Sequence, residues 1–274
     1  MVKLIAVGDN VVDCYLDKEL YFPGGNCVNV AVNAKRAGAE EVSYIGIFGN
    51  DDKAEHIQYA LAEEKVDYAK SRYAIGKSGQ PQVSITEQGD RIFVGGPKDT
   101  VQHRFKINVT IEELNFIKDF DVCHVSVYSS MESELPKLSK VIPIAYDFSS
   151  RTELAYVKEL APYLTYAFFS AADLSPAELD EFIEALKALS IKVVGVTRGD
   201  RPALFIHDGK VYEQVLRPIQ VVDTMGAGDS LIAGFLVSHL SGQPIEQAIV
   251  DGTLSAEKTC QIEGGFGYPK LLKL

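Results

Sequence analysis

The sequence predicts an α/β fold: a mostly parallel sheet covered by helices on both faces, with a small second β element. Three observations carry that prediction. Short apolar runs alternate with helical patterns along most of the chain. Two of the intervening helices carry explicit start signals. Two segments break the rhythm with extended patterns of their own.

Leu4–Val7 is a buried strand ending at Gly8, and Val28–Arg36 is a helix stopped by Gly38. Val42–Ile47 is the next strand and Asp52–Glu64 the next helix. Further strands follow at Val122–Val125, Ile144–Phe148, Ala167–Phe169 and Val193–Thr197. Thr110 with Glu113 forms one capping box. Ser175 with Glu178 forms another, with Pro176 at the first helical position. Regular strand–helix alternation makes parallel β-α-β units, whose sheet needs cover on both faces. The breaks are Val11–Pro23, which is extended, and Tyr73–Gly96, which alternates around Gly89-Asp90 as a hairpin does. They predict a small sheet standing off the body, placed to cover a cleft at the carboxyl ends of the core strands. With no linker, repeat or low-complexity tract, the expectation is one domain over residues 1–274, its lid built from segments 11–23 and 73–96.

Hydrophobic residues make up 46% of the 274 and charged residues 24%. A chain of this length buries roughly 75% of its unfolded surface, so it needs no disulfide or metal staple. Thirty-eight acids against 27 Lys and Arg give a net charge of -11, which argues against nucleic acid as a partner. Cys14, Cys27, Cys123 and Cys260 are scattered, form no metal-binding spacing and fit a reducing compartment. The start lacks signal-peptide features, and no apolar run approaches the roughly 20 residues that span a bilayer. A cytoplasmic location with no membrane partner is the expectation.

The strongest chemical signal is Asp223-Thr224-Met225-Gly226-Ala227-Gly228-Asp229-Ser230, which follows an extended run and opens an apolar helix. A Gly-Ala-Gly turn there exposes backbone N–H groups at the positive end of the helix dipole, an anion site suited to phosphate. Asp229 inside that turn would repel a phosphate; it makes sense if it takes a proton from an attacking hydroxyl. The plainer reading is a helix cap.

This octet resembles the second signature of the ribokinase (PfkB) family of carbohydrate kinases, whose D-T-x-G-A-G-D carries the catalytic aspartate. Gly24-Gly25-Asn26-Cys27-Val28-Asn29, continued by Gly46, Gly49, Asp51 and Asp52, resembles the first signature. Order and spacing agree from residue 1 to about residue 265. The resemblance implies a ribokinase-like three-layer α/β/α core with a β lid, and ATP-dependent phosphorylation of a sugar hydroxyl. It implies Asp229 as the base, with Gly226, Ala227 and Gly228 stabilising the transferring phosphoryl group through their turn. The N–H groups of Ala227, Gly228 and Asp229 are the expected donors. It places Asp13, Gly25 and Asn29 on the sugar, with Asn26 beside them. Thr197 and Gly199, in a T-x-G stretch, join Thr224, Gly226 and Gly228 around the nucleotide.

Magnesium is implied by ATP chemistry. Ser170-Ala171-Ala172-Asp173 stands where the family has an N-x-x-E element that orders magnesium and its waters; Asp173 keeps the carboxylate on a shorter arm. Some members hold potassium beside the anion turn on backbone carbonyls, which leave no sequence signature. Many pair through their lids, and an exposed small sheet has edges that invite pairing, so a homodimer through the lid is expected. Within the family the chain is most similar to the fructoselysine 6-kinases, in stretches that include Gly8-Asp9-Asn10, Asp147-Phe148-Ser149 and Asp223 to Gly234. A fructosamine substrate would want carboxylates near its amine, for which Asp9 and Asp13 are the candidates, and a cation for its amino-acid carboxylate, for which Arg91 is the candidate; the plainer reading of Arg91 is a solvent-facing hairpin residue. The alternatives are another sugar or nucleoside as substrate, or a non-catalytic sensor on the same fold.

Other motif readings fail. Gly76-Lys77-Ser78 lacks the earlier P-loop glycine, since Ser71 stands there. No G-x-G-x-x-G follows the first strand, which disfavours a nicotinamide oxidoreductase. Histidines 56, 103, 124, 207 and 239 show no ligand spacing and read as surface or satisfied core residues.

Overall fold

A computed structural model describes residues 1–85 and 91–272, apart from the side chains of Ile85 and Arg91. The Gly89-Asp90 turn lies outside the described residues, as does the Arg91 side chain. The chain starts in the core with β1 (Lys3–Val7), leaves it through β2 (Val11–Tyr15) and β3 (Leu20–Gly24), and returns in α1 (Asn26–Arg36). β4 (Glu41–Ile45) pairs parallel with β1. β5 (Ile47–Phe48), α2 (Asp52–Glu63) and β6 (Arg72–Tyr73) then lead to the hairpin of β7 (Gln82–Ile85) and β8 (Arg91–Gly95). After α3 (Val101–Arg104) and α4 (Ile111–Ile117), the core resumes with β9 (Val122–Ser126). It continues through α5 (Leu135–Leu138), β10 (Ile144–Asp147), α6 (Leu154–Leu160), β11 (Tyr166–Ser170), α7 (Pro176–Lys187) and β12 (Val193–Arg198). β13 (Arg201–His207) and β14 (Lys210–Glu213) form an antiparallel edge, and α8 (Ala227–Leu240), α9 (Ile245–Thr259) and β15 (Lys270–Leu271) complete the chain.

The main sheet has eight strands in the order β14-β13-β12-β11-β10-β9-β1-β4 and is parallel from β12 to β4. Successive residues feed opposite cores, as the pleat requires. Leu4 and Ala6 enter the core under α1, α8 and α9; Ile5 and Val7 enter the one that holds residues of α4 to α7. β10 repeats the alternation with Ala145 on the first side and Ile144 and Tyr146 on the second. α8 is apolar almost all round because it is covered by α1 and α9 as well as the sheet, with every residue from Ser230 to Ser238 buried. Both expected capping boxes form, at Thr110 with Glu113 and at Ser175 with Glu178.

The second sheet runs β15-β3-β2-β7-β8. Two of its features differ from the sequence reading. The chain's last strand, β15, closes one edge by pairing with β3. Tyr73 stays with the body, where β6 pairs with β5. Among the described residues, no helix is long and apolar enough to cross a membrane.

Candidate active site

A cleft of about 1440 Å³ runs along the carboxyl ends of the core strands and beneath the second sheet. Strand ends β10, β11 and β12 bring Asp147, Ser170 and Thr197 to it. This is where open α/β sheets bind ligands, because loops there diverge and helix N-termini point in.

The anion turn forms as its composition demands. Gly226 caps α8 in the left-handed region at φ 71°, and a Cβ on it would lie 2.7 Å from the Cα of Gly265. Gly228 has open space around its Cα, which lets a ligand approach the backbone. Of the three expected donors, the Ala227 N–H is used internally, on the Thr224 carbonyl at 3.2 Å. The N–H groups of Gly228 and Asp229 remain in the first turn, where a helix offers no internal acceptor. Asp223 shapes the approach: its Oδ1 accepts the Met225 N–H at 2.7 Å, and its Oδ2 accepts the Gly264 N–H and the Tyr15 hydroxyl. Tyr15 belongs to β2, so this contact ties the lid sheet to the anion turn.

Asp229 is held rather than merely capping. Its Oδ1 accepts from Asn26 Nδ2 at 2.8 Å and its Oδ2 from Asn29 Nδ2 at 2.7 Å. Burial, with Asp147, Asp9 and Asp13 nearby, raises its pKa well above the usual carboxylate range, against the opposing pull of Asn29. Both asparagines stand at the start of α1, whose entry is made by Gly25 at φ 101°. A Cβ on Gly25 would press to 2.9 Å on the Asn10 Cα, so the chain needs glycine there.

The remaining predicted site residues sort by what their polar atoms already do. Asp9 lines the cleft, but its Oδ2 accepts the Asn26 N–H at 2.6 Å and its Oδ1 accepts the Ser126 and Ser129 hydroxyls. It therefore anchors the start of α1 while facing the cleft. Asn26 also lines the cleft; its two amide protons go to Asp229 and Asp147, and its oxygen accepts from His124. Asn29 keeps a buried Oδ1 without a partner among the described residues. Asp13 is 4% exposed and lines the cleft, and its carboxylate makes no hydrogen bond within the described residues. Burial first, and the charges of Asp223 and Asp9 second, push its carboxyl up to about 7.

At the other end of the cleft lie Thr197, Gly199 and Thr224. Gly199 turns at φ 68°, and Thr197 donates its hydroxyl to the Phe169 carbonyl. Asp173 is exposed and outside the cleft lining, so the fold does not bring it to the anion turn. Two further residues join the site, Asp147 from a stretch that carried the resemblance without a role and His124 from outside any motif. Asp147 ends β10 and His124 sits in β9; both meet Asn26. The strand-end position of Asp147, within the resembling Asp147-Phe148-Ser149 stretch, was the available signal. For His124 there was none, since a lone histidine in an apolar strand reads as core.

The profile of the pfkB family carbohydrate kinases matches residues 1–267. The chain belongs to the pfkB family of carbohydrate kinases. It is an ATP-dependent sugar kinase, and its fold is the ribokinase-like three-layer arrangement. It is 45% identical to the fructosamine kinase FrlD of Bacillus subtilis (strain 168), over 97% of this chain and 94% of that one. It is 33% identical to the fructoselysine 6-kinase of Escherichia coli (strain K12), over 97% and 100%. Among solved structures, an Arabidopsis thaliana ribokinase complexed with ribose and ATP superposes with a TM-score of 0.80 at 18% identity, covering 96% of this chain and 94% of that one.

Proposed function

We propose that the protein phosphorylates the sugar 6-hydroxyl of a fructosamine such as fructoselysine, with Asp229 as the base. The observation that carries the role of Asp229 is its placement: a carboxylate gripped by two amides inside an anion turn, opening on a cleft shared with the nucleotide loops. The turn's free N–H groups stabilise charge on the transferring phosphoryl group. Asp229 aligns the hydroxyl and takes its proton late, because a loose transition state demands little early proton removal. The lid sheet excludes water and so suppresses ATP hydrolysis.

Two features support the substrate. Fructosamine and fructoselysine kinases stand among the most similar relatives. The sugar end of the cleft also holds Asp13, with no salt bridge to Asp9, Asp13, Asp147 or Asp229 among the described residues. Uncompensated buried carboxylates favour a ligand that brings its own positive charge, as the secondary ammonium of a fructosamine does.

Magnesium fits as an ion carried by the nucleotide. No group of three or more His, Cys, Asp or Glu among the described residues is arranged to hold a metal, and Mg²⁺ commonly uses phosphates and water for most of its shell. It would neutralise charge between the β and γ phosphates.

The test is ADP release against fructoselysine, a second fructosamine, fructose, ribose, fructose 6-phosphate and adenosine, in sodium and in potassium buffers. A clear preference for fructosamines supports the proposal. Turnover confined to a plain sugar or nucleoside would discard the substrate and keep the chemistry. Silence across the panel in a protein that binds ATP would favour a sensor.

A further inference from the structure

The geometry points to His124 as a positioning residue that locks the Asn26 amide, and through it the orientation of Asp229. This rests on the reading of Asp229 as the base. His124 Nε2 stands 2.7 Å from Asn26 Oδ1, and Asn26 Nδ2 reaches both Asp147 Oδ2 and Asp229 Oδ1. An amide has two donors on one side and an acceptor on the other. Turned over, Asn26 would set its oxygen against two carboxylate oxygens. The imidazole N–H makes the productive orientation the one in which every contact is attractive.

The ring's own surroundings support the assignment. His124 is fully buried in β9 between apolar neighbours, and its Nδ1 has no partner among the described residues. Desolvation lowers its pKa to about 3, so the ring is neutral with a single N–H. That proton must sit on Nε2, because the facing Asn26 atom is an acceptor. A buried polar ring that leaves one nitrogen orphaned is a poor choice for packing alone. Its one made bond goes to the residue that bridges two carboxylates. The same strand face supplies Ser126, two residues on, which holds Asp9, which in turn holds the Asn26 backbone N–H. Asn26 is thus fixed from β9 at both its backbone and its side chain.

Asp229 is faced by Asn29 from α1, Asp147 from β10, Asp13 from β2 and Asp9 after β1. All three neighbouring carboxylates raise its pKa, whereas the amide donors favour its ionised form. Losing the Asn26 donor removes a bond that favours ionised Asp229, and the acid limb of kcat/KM is expected to move to higher pH.

The experiment measures kcat, KM and the pH profile of wild type, His124→Phe, His124→Gln and Asn26→Ala. His124→Phe is expected to lose about tenfold or more in kcat with KM for ATP little changed, and to shift the acid limb upward by about half a unit or more. Gln, which still offers an N–H, recovers most of that loss. Asn26→Ala, at the half-buried start of a helix, shows the same limb shift even if the Phe variant folds poorly. Adding His124→Phe to Asn26→Ala costs little more, because both act through one bond. Wild-type kcat and an unmoved acid limb in both single variants, alongside an inactive Asp229→Asn, would overturn the relay and leave the base intact. Near-normal turnover in Asp229→Asn would instead remove the reading on which the relay rests.

Discussion

Tyr15→Phe isolates the contact that joins the lid to the anion turn. The Tyr15 hydroxyl donates to Asp223 Oδ2 at 2.8 Å, with the two residues 1% and 0% exposed. The ring packs edge-on against Phe22 at 5.1 Å and beside Val83, contacts that phenylalanine keeps. Only the hydroxyl is lost, and a hydrogen bond to a charged group contributes about 1.5–3 kcal/mol. For 274 residues, an unfolding entropy of about 2.1 cal/mol/K per residue makes 1 kcal/mol worth about 2 °C. The expected fall in Tm is therefore about 3–5 °C, read by differential scanning calorimetry. Because Asp223 also orders Met225 at the mouth of the turn, kcat should drop too, but by less than in Asp229→Asn. In an Asp223→Ala background, Tyr15→Phe should change Tm little. A Tm within about 1 °C of wild type in the single variant, or full additivity in the double, would refute the latch.

Asp13 gives a stability prediction whose sign is opposite to the usual carboxylate. Its folded pKa, about 7, lies above the unfolded value, so the folded state binds more protons between about pH 4 and 7 and stability declines as pH rises through that window. Asp13→Asn should flatten the decline in urea melts of the unliganded protein while weakening sugar binding; a steeper decline would contradict the assignment. Gly228→Ala and Gly226→Ala should separate chemistry from folding. The first meets no atom within 4 Å and should fold as wild type but raise KM for ATP. The second collides with Gly265 at positive φ and should lower Tm by several degrees; equal Tm values would undercut the account of the turn. β8 is an edge strand whose Ile92, Phe93 and Val94 are all exposed, so Phe93→Glu should shift a lid-mediated dimer toward monomer in sedimentation equilibrium. A wild type that is monomeric throughout would end that expectation.

The parallel core was legible because its strands are buried on both faces and its helices announce their starts. β13 and β14 were not read, although the apolar run Ala203-Leu204-Phe205-Ile206 and the Asp208-Gly209 turn behind it were a hairpin signal; the strand–helix alternation of the core drew the reading away from a strand pair with no helix between. β15 was not read either: two exposed residues carry no pattern, and they pair with β3 from the far end of the sequence. The anion turn was legible residue by residue, because glycine at positive φ and a helix start leave a local signature. The sharing of hydrogen bonds was not. Asp9 and Asn26 stand in the right place for a ligand, yet their polar atoms are already engaged by Ser126, Ser129, His124 and Asp147, which lie about a hundred residues or more along the chain. No local pattern records which of several polar atoms at a cleft remains available.

The measurement closest to the central claim is steady-state ADP release by Asp229→Asn against wild type with the preferred sugar, together with Tm for both. An intact fold and a loss of about three orders of magnitude or more in turnover are expected, the scale of a lost acid–base group. Turnover near wild type in the folded variant would contradict it.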